Sequence, residues 1–317
     1  MRSVLLAAGY VNVDVVARVD RIPGFGERTT AKSLRRSPGG MTANLACAAS
    51  RLGLDVRFFG NVGRDSEASA ALAELSRWGV STEDVVRTER PTTVAIVLLG
   101  PDGERSIVSE PMVFDYGPLE ETLQTVRGPE ERRCLHVDGY RLPEALPILR
   151  RARQLGFATS ADLDGMDTVS LTQHVTEIAL TLDVIFLNRG LAGALATTPE
   201  GATDVLFQLG SKVVAVTLGD EGALIACPGG TTCIPAASPD VVRDTTGAGD
   251  VFAAAFLASW LEGAGAEEAG EFAVVASGLS VSVAGARGCL PSREEITEIV
   301  RSGKRRRAGV EERSGAG

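Results

Sequence analysis

The run Asp244-Thr245-Thr246-Gly247-Ala248-Gly249-Asp250 sets two carboxylates around a glycine-rich turn and leads into an alanine-rich apolar stretch that reaches Trp260. Apolar residues at helical spacing predict a helix from about Ala248. The exposed N–H groups at that helix start, backed by the helix dipole, could hold an anion. Asp250 falls in the first turn, beside the same spot. Two readings fit these residue types. An acid in a first turn is an ordinary dipole partner, so the stretch could be a capped buried helix. A phosphate and an aspartate also coexist if Asp250 takes a proton from a hydroxyl that attacks a phosphoryl group, chemistry that needs positioning and electrostatics.

Other chemistries lack material. The chain has no GxxxxGK[ST], GxSxG or HExxH pattern, and GFGERT and GAGDVF miss the third glycine of a dinucleotide fingerprint. His136 and His174 are the only histidines, too few for a multi-histidine metal site. A net charge of −9 argues against a general nucleic-acid or membrane-surface binder, while leaving room for a local cationic pocket. Hydrophobic residues at 44% and charged residues at 23% are those of a soluble globular protein. The five cysteines show no CxxC spacing and read as reduced thiols of a cytoplasmic protein, with no bridge expected between Cys227 and Cys233. No stretch reads as a signal peptide or a membrane span.

Strand-like runs (VLLAAG, VRFFGNVG, RCLHVDGY, FATSAD, VIFLN, VVAVTLG) alternate with helical patterns such as MTANLACAASRLG and LPEALPILRRARQLG. That alternation predicts an α/β fold, a mainly parallel central sheet flanked by helices. Residues 10–38 and 92–110 instead alternate polar and apolar, the second with a PDG turn, and predict a small β-sheet lid. Residues 1–303 read as one domain and 304–317 as a disordered tail.

DTTGAGD with its Ala-rich helix, and SPGGMTANLACAASRLG near the start, closely resemble the two signature regions of the ribokinase-like (PfkB) family of carbohydrate and nucleoside kinases. GYVNVD, GNVGRD, TTVAIVLLGPDGERSIV, VTLGDEGAL and GARGCLPSREEI look like family segments in family order, so the resemblance covers roughly residues 4–300. It implies a ribokinase-like fold and an ATP-dependent kinase acting on a hydroxyl of a small sugar or polyol. Asp250 is then the catalytic base, and the amides of Gly247, Ala248 and Gly249 form the anion hole. Asn12, Asp14, Gly39, Gly40 and Asn44 match positions that grip sugar hydroxyls. Paired glycines let backbone approach a ring, and a carboxylate and an amide give directional hydrogen bonds. Asp138 ends a strand, where ligands collect in open α/β sheets, although capping the next turn would explain it too.

By the same resemblance, Asn188, Thr217, Gly219, Asp220 and Gly222, with Gly249, contact ATP. Asp244 orders the loop and sits at a monovalent cation, K+, in many relatives. Mg2+ is expected with ATP, as is a homodimer through the lid. Three positions depart from the pattern. Leu191 stands where many members have the glutamate of NxxE, so Asp162, Asp164 or Glu221 compensates or metal use differs. GGMTAN replaces the GGKGAN of ribose-specific members, and Val274 replaces an asparagine near adenine. The competing readings are a nucleoside kinase, a weakened sugar-binding regulatory protein and a dinucleotide oxidoreductase.

Overall fold

The first strand, VLLAA, is buried on both faces, as a strand inside a helix-covered parallel sheet must be. The computed structural model describes residues 3–101, 105–110, 114–127, 132–237 and 241–302; the expected tail and Asp102-Gly103 of the PDG turn lie outside them. The first part of the chain runs β1 (Val4–Ala8), β2 (Asn12–Arg18), β3 (Ser33–Gly39), α1 (Met41–Arg51), β4 (Asp55–Phe59), β5 (Asn61–Val62), α2 (Ser66–Arg77), β6 (Val86–Arg87), β7 (Val94–Leu99) and β8 (Arg105–Ser109). Next come α3 (Leu119–Thr125), β9 (Arg133–Asp138), α4 (Leu142–Gln154), β10 (Ala158–Asp162), α5 (Thr168–Thr181), β11 (Val184–Asn188), α6 (Arg189–Ala192) and α7 (Pro199–Gln208). The chain continues with β12 (Val213–Thr217), β13 (Ala223–Cys227), β14 (Gly230–Ile234), α8 (Ala248–Trp260), α9 (Ala266–Ser280) and α10 (Arg293–Ser302).

Eight strands form the main sheet in the order β14-β13-β12-β11-β10-β9-β1-β4. All pairs from β12 to β4 are parallel, and β12-β13-β14 closes the edge antiparallel. Strand alternation splits the core by face. Leu5, Ala7, Val184 and Phe186 pack with α1, α8 and α9, whereas Leu6, Ala8, Ile185 and Leu187 pack with α4, α5 and α7. Helix α8 lies against both α1 and α9, and its Val251–Ser259 run is buried all round. Alanine at four of those positions lets the three helices approach closely, which explains the composition that follows Asp250.

The lid is a separate sheet in the order β3-β2-β7-β8, built from the two segments that alternate in sequence. Asp14, Val16, Arg35, Val97 and Ile107 share its inner face, which lines a cleft over the strand ends. Cys227 sits opposite Gly230 and Cys233 opposite Leu224, so the two thiols are not cross-strand partners, and both are free. Among the described residues no helix is long and apolar enough to cross a membrane.

Candidate active site

The cleft has a volume of about 470 Å³ and runs between the lid and the carboxyl ends of the parallel strands. Ligands bind at that end in open α/β sheets because helix N-termini and loop amides converge there. Of the residues singled out from sequence, Asn12, Asp14, Gly40, Asn44, Asp244, Gly247, Gly249 and Asp250 line it, together with Tyr10, Tyr140, Asp162 and Asp164.

Asp250 lies in the first turn of α8 and is buried. Asn44 Nδ2 donates to its Oδ2 at 2.8 Å. The asparagine is itself oriented: Arg287 Nε donates to Asn44 Oδ1 at 2.9 Å, so only the amide NH2 can face the carboxylate. Arg287 Nη2 also donates to Gly39 O at 3.2 Å, and Nη1 lies 3.4 Å from Glu74 of α2. A chain of polar contacts thus runs Glu74-Arg287-Asn44-Asp250. Burial raises the Asp250 pKa well above the usual carboxylate range, the Asn44 hydrogen bond opposes the shift, and the charges of Asp162 and Asp164 add to it.

No side chain caps α8. Its N-terminal Gly247 has φ 78°, a left-handed conformation that favours glycine, and an added Cβ would sit 2.7 Å from that of Ala286. Ala248 N–H closes the turn onto Thr245 O at 3.2 Å, while the N–H groups of Gly247 and Gly249 have no acceptor among the described residues. Asp244 ties the loop down. Its Oδ1 accepts from Thr246 N at 2.9 Å and Thr246 Oγ1 at 2.5 Å, and its Oδ2 from Gly285 N at 2.8 Å.

On the lid side, Asn12 Nδ2 donates to Asp14 Oδ1 at 2.7 Å, and Asn12 Oδ1 is buried without a hydrogen-bond partner among the described residues. Burial also raises the pKa of Asp14. Gly40, at φ 103°, carries the chain from β3 into α1 with its backbone against Tyr10 O, where a Cβ would not fit. Asp138 lies outside the cleft lining. It is buried and engaged by three donors: Thr42 Oγ1 at 2.6 Å, Tyr140 N at 3.3 Å and Tyr10 N at 3.4 Å. Burial pushes its pKa to about 6, and that of the neighbouring Asp162, opposite it in register, to about 7.

The residues expected around ATP lie further along the same edge. Asn188 and Thr217 end β11 and β12 as register partners, and Gly219, Asp220 and Gly222 make the tight turn into β13. Asn188 Oδ1 accepts from Leu191 N at 2.9 Å, capping α6. None of the five lines the cleft that holds Asp250.

The pfkB family carbohydrate kinase model matches residues 3–293. The chain belongs to the pfkB carbohydrate kinase family. An "ATP-dependent ribose-1-phosphate kinase" of Halopiger xanaduensis is 34% identical over 290 residues, 89% of this chain and 93% of that protein. Arabidopsis thaliana ribokinase is 28% identical over 94% of this chain and 81% of its own. Its structure complexed with ribose and ATP superposes with a TM-score of 0.79 at 25% identity, covering 95% of this chain and 99% of that one.

In this kinase the departures noted in the sequence have structural counterparts. Leu191 is packed into the apolar core with Ala192 and Leu187, and Val274 is buried in α9. Glu221 is tied to Arg189 at 2.8 Å, whereas Asp162 and Asp164 face the cleft. Arg287 was not singled out from the sequence. The signal present was an arginine inside the glycine-rich GARG, but its partners lie 243 and 248 residues away.

Proposed function

We propose that the kinase transfers the γ-phosphoryl group of ATP to a hydroxyl of a small sugar held beneath the lid, with Asp250 as general base. The observation that carries this is the buried Asp250 carboxylate, held by an oriented Asn44 at a helix start whose Gly247 and Gly249 amides have no acceptor among the described residues. Asp250 takes the hydroxyl proton, and the freed oxygen pair attacks the γ-phosphorus. The bond from that phosphorus to the β,γ-bridging oxygen breaks, its electron pair leaves on ADP, and the proton passes from Asp250 to solvent. The loop amides receive the charge on the transferring oxygens. Asn12 and Asp14, with Gly39, Gly40 and Asn44, grip the sugar; the unpartnered Asn12 Oδ1 suits a hydroxyl donor. Asn188, Thr217, Gly219, Asp220 and Gly222 hold the nucleotide. Asp138 is proposed to act on the substrate only through Tyr10 and Tyr140, whose backbone it holds.

Magnesium would enter with ATP and neutralise the β/γ charge. Among the described residues no group of three His, Cys, Asp or Glu side chains is preassembled for a metal, and of the carboxylates facing the cleft Asp162 and Asp164 are the hard oxygen donors proposed to meet it. Excess chelator is expected to abolish ADP release and added Mg2+ to restore it; release unaffected by chelator contradicts this. Asp244 is the proposed monovalent-cation residue, read by comparing turnover in K+ and in choline salts. A homodimer through the lid belongs to the same reading. Leu34, Ile96 and Val108 leave the far face of that sheet apolar and exposed, and sedimentation velocity measures the outcome.

The base must be ionised to act, so kcat/KM rises with pH through the Asp250 pKa. Removing the negative charge of Asp162, which raises that pKa, should move the acid limb to lower pH in Asp162→Asn. A pH profile with an unmoved or upward-shifted acid limb refutes the assignment. The overall test is an ADP-release screen with Mg2+ across sugars, sugar phosphates, polyols and nucleosides. Preference for nucleosides would replace the sugar reading, and no turnover with any acceptor would reject the kinase reading.

A further inference from the structure

A second hollow of about 500 Å³ opens off the cleft towards the far end of the lid and shares Val16, Arg35, Leu99, Asp244 and Thr245 with it. Three arginines line this hollow: Arg18 on β2, Arg35 on β3 and Arg243 just before the catalytic loop. None of them makes an ion pair or side-chain hydrogen bond among the described residues. The adjacent Arg36, on the other face of the strand, pairs with Glu67 at 2.5 Å. Among the described residues Asp244 is the one acidic residue of the lining, and its carboxylate is engaged by Thr246 and Gly285. Three guanidinium groups without a partner among the described residues share this hollow, and the planar, multidentate guanidinium suits a phosphate.

Register gives the distance from the sugar grip. On the inner face Asp14 pairs with Ser37, Val16 with Arg35, and Arg18 with Ser33. Each row is two residues from the next, about 6.6 Å at the usual rise of a strand. Arg35 therefore stands one furanose-sized step beyond Asp14, on the side away from the Asn12-Gly39 row that adjoins Asn44 and Asp250. We propose that Arg18, Arg35 and Arg243 form a phosphate subsite, so that the preferred acceptor is a sugar already bearing a phosphate monoester at the end remote from the attacked hydroxyl. This rests on the kinase reading above and names its substrate class. The same arginines could serve a different phosphate, the terminal one of ATP, and the test separates the two sources.

ADP release by the full chain is measured with ribose and with ribose 1-phosphate, whose primary hydroxyl is free, and KM for ATP is measured alongside. The expected result is a kcat/KM at least about tenfold higher for ribose 1-phosphate, a gap worth about 1.4 kcal/mol. Arg35→Ala should shrink the ratio between the two acceptors by about tenfold, and Arg35→Lys should restore part of it. Equal or better use of ribose overturns the proposal, as does a rise in the KM for ATP that is common to both acceptors. Should neither compound release ADP, the wider acceptor screen decides the kinase reading, and calorimetric binding decides the subsite. Tighter binding of ribose 1-phosphate than of ribose, lost in Arg35→Ala, supports it; equal binding overturns it.

Discussion

Asp250→Asn is expected to lower kcat by about three orders of magnitude, within the range ascribed to general bases, while the sugar still binds. The substitution is nearly isosteric, and an amide oxygen can still accept the hydrogen bond that Asn44 donates at 2.8 Å. The cleft keeps its shape and the first turn of α8 its backbone. Only the ability to take a proton is lost. Removing a buried ionisable group also relieves a desolvation cost, so the variant should fold at least as well as the parent. Turnover by ADP release and sugar affinity by calorimetry are read on the same preparation. Near-normal kcat would sink the base assignment, and loss of sugar affinity with kcat retained would turn Asp250 into a binding residue.

A comparably large effect is expected from Arg287→Met, in stability and catalysis together. Methionine fills much of the space but donates nothing. Asn44 Oδ1 and Gly39 O lose their donor, and Glu74 loses its cation. Breaking a buried pair in this way costs about 3 kcal/mol, and for a chain of this size the melting temperature should fall by roughly 4–5 °C. The freed asparagine can then turn its oxygen towards Asp250, and the positive charge that lowers the Asp250 pKa is gone. The acid limb of the pH profile should therefore move to higher pH, a change that a purely structural loss would not produce. Arg287→Lys keeps the charge without the fork and should move the limb less. An unchanged melting temperature together with an unmoved limb would show that the Glu74-Arg287-Asn44 chain does not support the carboxylate.

Much of the frame was legible because it is local. The apolar run after Asp250 marks a helix, and α8 begins at the expected Ala248. Alternation in residues 10–38 and 92–110 marks lid strands, and β2, β3, β7 and β8 fall there. Asn44 was harder. On its own helix the bland reading is a surface position, yet α8 packs across α1 and buries it. Asp138 had two readings, a substrate contact or a cap; its bond from Tyr140 N is that of a cap, while the bond from Thr42 Oγ1 of α1 is long-range and could not be read from sequence. Leu191 marks a missing carboxylate in the sequence, but its packing beside Leu187 and Ala192 appears only once the sheet and α6 are assembled.

By itself the sequence determined the strand-helix alternation, the glycine-rich turn before α8, the acid in the first turn of that helix and the family to which the whole pattern belongs. Each of these depends on neighbours a few residues away, where backbone preference and hydrophobic period act. Only the tertiary structure decided which way the Asn44 amide points, that burial displaces the Asp250 pKa upward, and that Arg18, Arg35 and Arg243 share one hollow. Those properties arise from burial and from charges brought together across more than two hundred residues of chain, as between Asn44 and Arg287, and no local pattern encodes them.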